Sequence, residues 1–262
     1  MKRRGTRIPT SVINKNFSLK SKRSQITIFV IIAVLIIAVA VLIFVFREQT
    51  FGDGPINVNI VPVNDIVIDC LEKIGNNAII RVGENGGYSE IYNDINYAED
   101  VPYYVIDEKS LIPSMERVES EISLIIEEEL PSCVSDFGEI FDEYEGINHE
   151  LRDAKTSILD DAVVLELNYP IVINKGESVY ELKDFSFRVR SRVDDYYEIS
   201  QKTIVEQQKH AGSICISCLF DLSEEYDVKI EMRDSGNSTI ITIVDEEYKL
   251  SEESYEWRFA IK

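Results

Sequence analysis

Nineteen consecutive apolar residues, Ile28 to Phe46, constrain this chain more than anything else in it. A helix rises about 1.5 Å per residue, so the run reaches about 28 Å, close to the roughly 30 Å hydrocarbon core of a bilayer. With Ile26 and Thr27 in front of it, the run predicts a transmembrane helix over residues 25–46 and a lipid bilayer as the partner of Ile26 to Phe46. The flanks give its direction. Residues 1–24 carry 8 of the 27 Lys and Arg residues and no acid, while all 47 Asp and Glu residues lie beyond the run. Basic residues beside a membrane helix are retained in the cytoplasm. The expected arrangement is a short cytoplasmic leader, a single-pass helix in the cytoplasmic membrane and a C-terminal domain outside. A cleaved secretory signal has a shorter apolar region that ends at a small-residue site. Here Ala38-Val39-Ala40 is followed by six further apolar residues, so the reading is a retained helix.

The acidity of the outer part repels anionic surfaces, so no nucleic acid partner is expected. The acids form no D-x-D-x-D-G calcium loop. Clusters such as Glu127-Glu128-Glu129 read as solvated helix face. Neither G-x-S-x-G nor H-E-x-x-H occurs, and no nucleotide-binding glycine pattern is present. His149 and His210 lie in polar sequence. With this many acids, any pair that could hydrolyse a glycoside is chosen after the fact. No catalytic residue, cofactor or metal ligand is therefore assigned, and a non-enzymatic role is expected. An anchored extracellular hydrolase is the alternative from another functional class.

Residues 47–62, with Gly52, Gly54 and Pro55, read as a linker. A single extracytoplasmic domain is expected over 63–262, helical over about 63–142 and mainly β over about 148–262. Val63, Ile66, Val67, Cys70, Leu71, Ile74, Ala78, Ile79 and Val82 recur at helical spacing, with Asn64 as the expected N-cap and Gly83 as the stop. Gly86-Gly87-Tyr88 reads as a tight turn. The tyrosines from Tyr88 to Tyr104 read as half-buried strand residues rather than a stacking surface for glycan or peptide. Ser114 caps a second expected helix carrying Met115, Val118, Ile122, Ile125 and Ile126, which Pro131 ends or turns toward Phe141. Strands are expected around Val163–Val172 and Val179–Val189 with a turn at Asn174-Lys175-Gly176. A third helix spans Val193 to about His210. A hairpin follows, turning at Ser235-Gly236-Asn237, and a last strand carries Trp257, Phe259 and Ile261. The fold class is α+β with an antiparallel sheet.

All four cysteines lie beyond the apolar run. Outside a cell they oxidise, and four cysteines allow three pairings. Cys70 lies on the apolar face of the first helix and Cys133 just past the end of the second, so a Cys70–Cys133 bridge is expected. Cys215-Ile216-Ser217-Cys218 has C-x-x-C spacing, but Ile214 and Leu219-Phe220 read as strand rather than as an exposed helix start, which argues against redox work. His210 completes no four-ligand zinc set with them. Asn237-Ser238-Thr239 fits the N-glycosylation pattern at the expected hairpin tip. Asn16-Phe17-Ser18 also fits but falls on the cytoplasmic side.

Two resemblances add to this. Lys22-Arg23-Ser24-Gln25-Ile26-Thr27-Ile28-Phe29 resembles the class III signal of archaeal type IV pilin-like proteins, with Ser24 where Gly or Ala is usual and Phe29 where many carry Glu. The resemblance implies leader cleavage between Ser24 and Gln25, with the apolar helix kept. Cys70-Leu71, Gly86-Gly87-Tyr88, Ile112-Pro113-Ser114, Leu130-Pro131-Ser132-Cys133, Leu167-Asn168-Tyr169-Pro170 and the Phe259-Ala260-Ile261-Lys262 ending are similar to a group of archaeal single-pass envelope proteins without established activity. That resemblance implies location and domain type and assigns no chemistry. The combined expectation is a membrane-anchored envelope protein for display, adhesion or assembly, with envelope or pilus proteins as partners. The linker glycines and Pro55 favour a tethered domain over a filament-core subunit.

Overall fold

The structure is a computed structural model that describes residues 61–135, 146–175, 177–210, 213–250 and 253–262. The leader, the Ser24–Gln25 junction, the apolar run, the linker through residue 60 and the turn toward Phe141 lie outside the described residues. Among the described residues no helix is long and apolar enough to cross a membrane. They belong to one compact unit. Its fold is α+β, rich in antiparallel sheet.

Helix α1 (Val61–Glu84) buries all nine apolar positions that the 3.6-residue period marked. It begins before Asn64, so Asn64 lies in its first turn rather than at the cap. Pro62 fits there, because the N–H groups of a first turn have no helical partner anyway. Gly83 is not the stop. The Gly86 N–H donates to the Gly83 carbonyl at 3.0 Å and the Gly87 N–H to the Val82 carbonyl at 2.7 Å. This paired closure needs a left-handed residue, and Gly86 has φ +57°. Gly83 serves packing instead. A Cβ there would lie 2.5 Å from the Glu256 carbonyl oxygen, because α1 runs against the last strand.

Helix α2 (Met115–Ser135) starts as expected, with the Arg117 N–H donating to Ser114 Oγ at 3.3 Å. It does not end at Pro131. An interior proline costs about 3 kcal/mol through a lost hydrogen bond and a steric clash. Burial of Leu130 and Val134 returns about 1.5–3 kcal/mol each, and Cys133 is tied to α1, so packing outweighs the local penalty.

Two sheets follow from the strands. In one, β6 (Ala162–Lys175) lies between β7 (Ser178–Arg190) and a broken edge made of β4 (Gly146–His149) and β5 (Asp153–Leu159). Tyr169 and Pro170 together oppose Lys183, a bulge that accommodates a proline inside a strand. The other sheet has the order β1 (Tyr97–Ala98), β2 (Val101–Ile106), β10 (Glu253–Ile261), β9 (Ser238–Leu250), β8 (Lys229–Ser235), with β3 (Lys109–Ser110) beside β2. The expected hairpin is present as β8–β9. The expected all-antiparallel sheet carries one parallel pair, β2 with β10, matching Tyr103 with Ala260. That pair joins the expected helical part to the expected β part, so the two share one core. Trp257, Phe259, Tyr255, Ile241 and Ile243 on this sheet, and Leu165, Ile171 and Ile173 on the other, belong to the same buried cluster as α1 and α2.

Helix α3 (Val193–Lys209) appears where the sequence places it. Helix α4 (Ile216–Tyr226) is a correction, since the residues around the C-x-x-C motif read as strand. Apolar Ile214 and Ile216 alternate, but Leu219 and Leu222, three apart, are the side chains that α4 buries.

Candidate functional site

The tyrosine segment is the first surface to weigh. Glu121 on α2 is buried and accepts from the Ser89 N–H at 2.9 Å, from Ser89 Oγ at 2.5 Å and from the Tyr92 hydroxyl at 2.8 Å. Arg117 pairs with its other oxygen at 2.5 Å and lies over the rings of Tyr92 and Tyr88, 5.3 and 5.9 Å from their centres. The Tyr97 hydroxyl accepts from the Tyr92 N–H. Burial pushes the hydroxyls of Tyr88, Tyr92 and Tyr97 up from their ordinary values. Tyr104 is fully enclosed, stacks on Phe259 and donates to the Gly86 carbonyl. The tyrosines thus fold down onto an ion pair and the core, with Tyr88 and Tyr92 in a loop rather than a strand and Tyr88 and Tyr104 buried rather than half-buried, and this region is architecture.

The expected Cys70–Cys133 bridge is present, with Cα atoms 5.9 Å apart, and it fastens α1 to α2. Cys133 lies within α2 rather than beyond its end. His149 is more than a polar surface residue. Its Nδ1 lies 2.7 Å from the hydroxyl of buried Tyr169, which burial pushes up to about 12. Asn237 sits exposed in the β8–β9 turn, where a glycosylation acceptor would have to be. Beside it the Ser238 hydroxyl meets that of Tyr103 at 2.6 Å.

The remaining surface combines chemistry with access. Cys215 and Cys218 form a second disulfide. Cys215 is the N-cap of α4, its sulfur accepting from the Cys218 N–H at 3.3 Å. A ring nitrogen of His210 and the two sulfurs all lie within 4.8 Å of one another. Cys218 Sγ lies 3.9 Å from a Glu206 carboxylate oxygen. Gln207, buried at the end of α3, braces the loop. With its amide oriented to satisfy both neighbours, it donates to the Ser213 carbonyl and accepts from the Cys215 N–H, each at 3.2 Å. Two clefts flank the motif. One, of about 430 Å³, runs from His210 and Ile214 to the hairpin tip at Asn237. The other, of about 630 Å³, lies between α3 and α4 and includes Val205 and Cys218.

The C-x-x-C spacing is legible in the sequence but reads as strand, and nothing in the sequence singles out Gln207 or Glu206. The missed signal is Cys215 standing directly before a helical turn whose inward residues are Leu219 and Leu222. No protein-family model, curated protein or solved structure matches the chain.

Proposed function

We propose that this protein is a membrane-anchored cell-envelope protein whose outer domain serves display, adhesion or assembly. The observation that carries the reading is the Ile28–Phe46 apolar run with basic residues on one side and every acidic residue on the other. The chemistry of the folded domain supports it. Two disulfides suit an oxidising compartment, and they are rare where cytosolic reductants keep thiols reduced. In this reading the leader is cut between Ser24 and Gln25, as in the pilin-like proteins it resembles. The helix then tethers the domain through the linker, Asn237 is available for glycosylation, and the partners are envelope or pilus proteins.

Protease added to intact cells or spheroplasts tests the topology. The outer domain should be digested, and protection of residues beyond Arg47 would overturn the reading. Mass spectrometry of the purified chain tests the processing. A mature chain beginning at Gln25 is expected, and an intact N-terminus would remove the pilin-like part while leaving the anchor.

A further inference from the structure

We propose that Cys215 and Cys218 are a redox-active pair that exchanges disulfides with an external polypeptide cysteine pair. The inference stands on the geometry around the motif and does not rest on the envelope reading.

Two features distinguish the two sulfurs, and a third serves both. Cys215 caps the N-terminus of an eleven-residue helix, where unsatisfied N–H groups and the helix dipole favour negative charge, and it already accepts from the Cys218 N–H. His210 stands beside it as a proton carrier, its ring nitrogen within 4.8 Å of both sulfurs. Glu206 faces Cys218 with one carboxylate oxygen 3.9 Å from Sγ while Lys209 pairs with the other at 2.7 Å, and the charge left on the near oxygen opposes a thiolate there. The asymmetry assigns Cys215 as the attacking thiolate and Cys218 as the resolving one.

The surroundings permit exchange. The bridge spans three positions of sequence, and no other element is held by it, so opening it leaves the packing in place. Ser217 between the cysteines is exposed, and both sulfurs belong to partly accessible residues. Ile216 and Phe220 are 65% and 61% exposed one helical turn apart on α4, and Val205, 50% exposed, shares the α3–α4 cleft with Cys218. Glu198, Glu206, Asp221 and Glu225 line that same cleft with Lys202, which pairs with Glu198 at 3.4 Å and Glu225 at 2.9 Å, so the lining keeps a net acidic charge. Apolar side chains set among carboxylates suit an uncharged or basic peptide and repel a small anionic thiol.

The exchange balances within the two pairs. The Cys215 thiol gives its proton to His210 or water, and the resulting thiolate attacks one sulfur of an external disulfide. That bond breaks, and the departing external sulfur leaves as a thiolate and takes up a proton. The Cys218 thiol gives its proton to His210 or water and attacks Cys215 Sγ. The mixed disulfide breaks, and the second external sulfur leaves and is protonated. The external disulfide gains two electrons and two protons, and the Cys215–Cys218 pair loses them. The reverse sequence oxidises an external dithiol at the expense of the bridge.

The test uses the full-length chain in detergent, equilibrated with graded dithiothreitol, alkylated and mapped by peptide mass. The Cys215–Cys218 bridge should open at roughly one tenth of the reductant that opens Cys70–Cys133, with the far-ultraviolet circular dichroism unchanged. Next, a basic model peptide closed by its own disulfide is offered to the reduced Cys218→Ser and Cys215→Ser variants. Cys218→Ser should trap the peptide through Cys215 roughly tenfold faster than Cys215→Ser traps it through Cys218. His210→Asn in the Cys218→Ser background should slow trapping several-fold. The proposal is overturned if both bridges open only with loss of the folded spectrum, or if the two variants trap equally. It is also overturned if the reduced pair takes up Zn²⁺ and then fails to exchange, which would make the three-residue cluster a metal site. None of these readouts depends on where the protein sits, so failure here is distinguishable from failure of the protease test.

Discussion

The two disulfides do opposite things to the chain. Cys70–Cys133 joins two helices that face one buried cluster, with Cys70 itself enclosed, and it closes a separation of 63 positions. Cys215–Cys218 closes a separation of 3 at the partly exposed start of a helix. Chain-entropy arguments give the first about 4 kcal/mol of stabilisation and the second at most about 2 kcal/mol. The first is a large share of a domain's typical 5–15 kcal/mol, and the second can open and close without unfolding the domain. One redox chemistry thus supplies a permanent clamp in one region and a reversible group in another, and burial decides which.

The comparison breaks most visibly at the clamp. Cys133→Ser should cost about 4 kcal/mol and lower the melting temperature substantially in calorimetry, because it restores the unfolded chain's freedom. A fall of less than about 1 kcal/mol would show that the helix pair holds without its bridge. Glu121→Ala probes the same region without touching sulfur. It leaves the Ser89 N–H, two hydroxyls and Arg117 without their acceptor, and should cost about 3 kcal/mol in denaturant unfolding.

Asp194, in the first turn of α3, lies away from both bridges and tests the helix that leads to the second. Among the described residues its Oδ1 is buried with no hydrogen-bond partner, and burial, together with the neighbouring Asp195 charge, pushes its carboxyl up to about 6. The folded state then holds a proton that the unfolded chain, with an ordinary value near 3.8, has released. Stability from this group is therefore present at low pH and is lost as pH rises from about 4 to about 6. Asp194→Asn should raise stability at pH 8 by about 1–2 kcal/mol, allowing for partial solvent screening, and change little at pH 4. Equal effects at both pH values would remove the assignment. Cys218→Ser should have the smallest effect, below the roughly 2 kcal/mol ceiling for its loop, because α4 keeps its Cys215 cap.

The sequence made the clamp readable and hid the exchange pair. The stripe from Val63 to Val82 on α1 and the Val118–Leu130 stripe on α2 are long and strongly periodic, so their buried faces and Cys70 followed directly. Cys133 was harder to place, because Pro131 signals a stop that tertiary packing overrides. The hairpin around Gly236 was local and therefore visible. The β2–β10 pair was not, since nothing near Tyr103 encodes its distant partner Ala260. β5 was missed because of its seven residues only Thr156 is buried, which leaves no apolar alternation. α4 is short and exposes Ile216 and Phe220, so its outward apolar residues imitated a strand and concealed the helix N-terminus on which the Cys215 chemistry depends.

Non-reducing peptide mapping of protein taken from cells with thiols blocked at lysis tests the central claim most directly. Separable clamp and exchange pairs in an oxidising compartment predict Cys70 linked to Cys133 in every molecule, and Cys215 either linked to Cys218 or free together with it. A Cys70 peptide found as a free thiol, or joined to Cys215 or Cys218, would contradict the account.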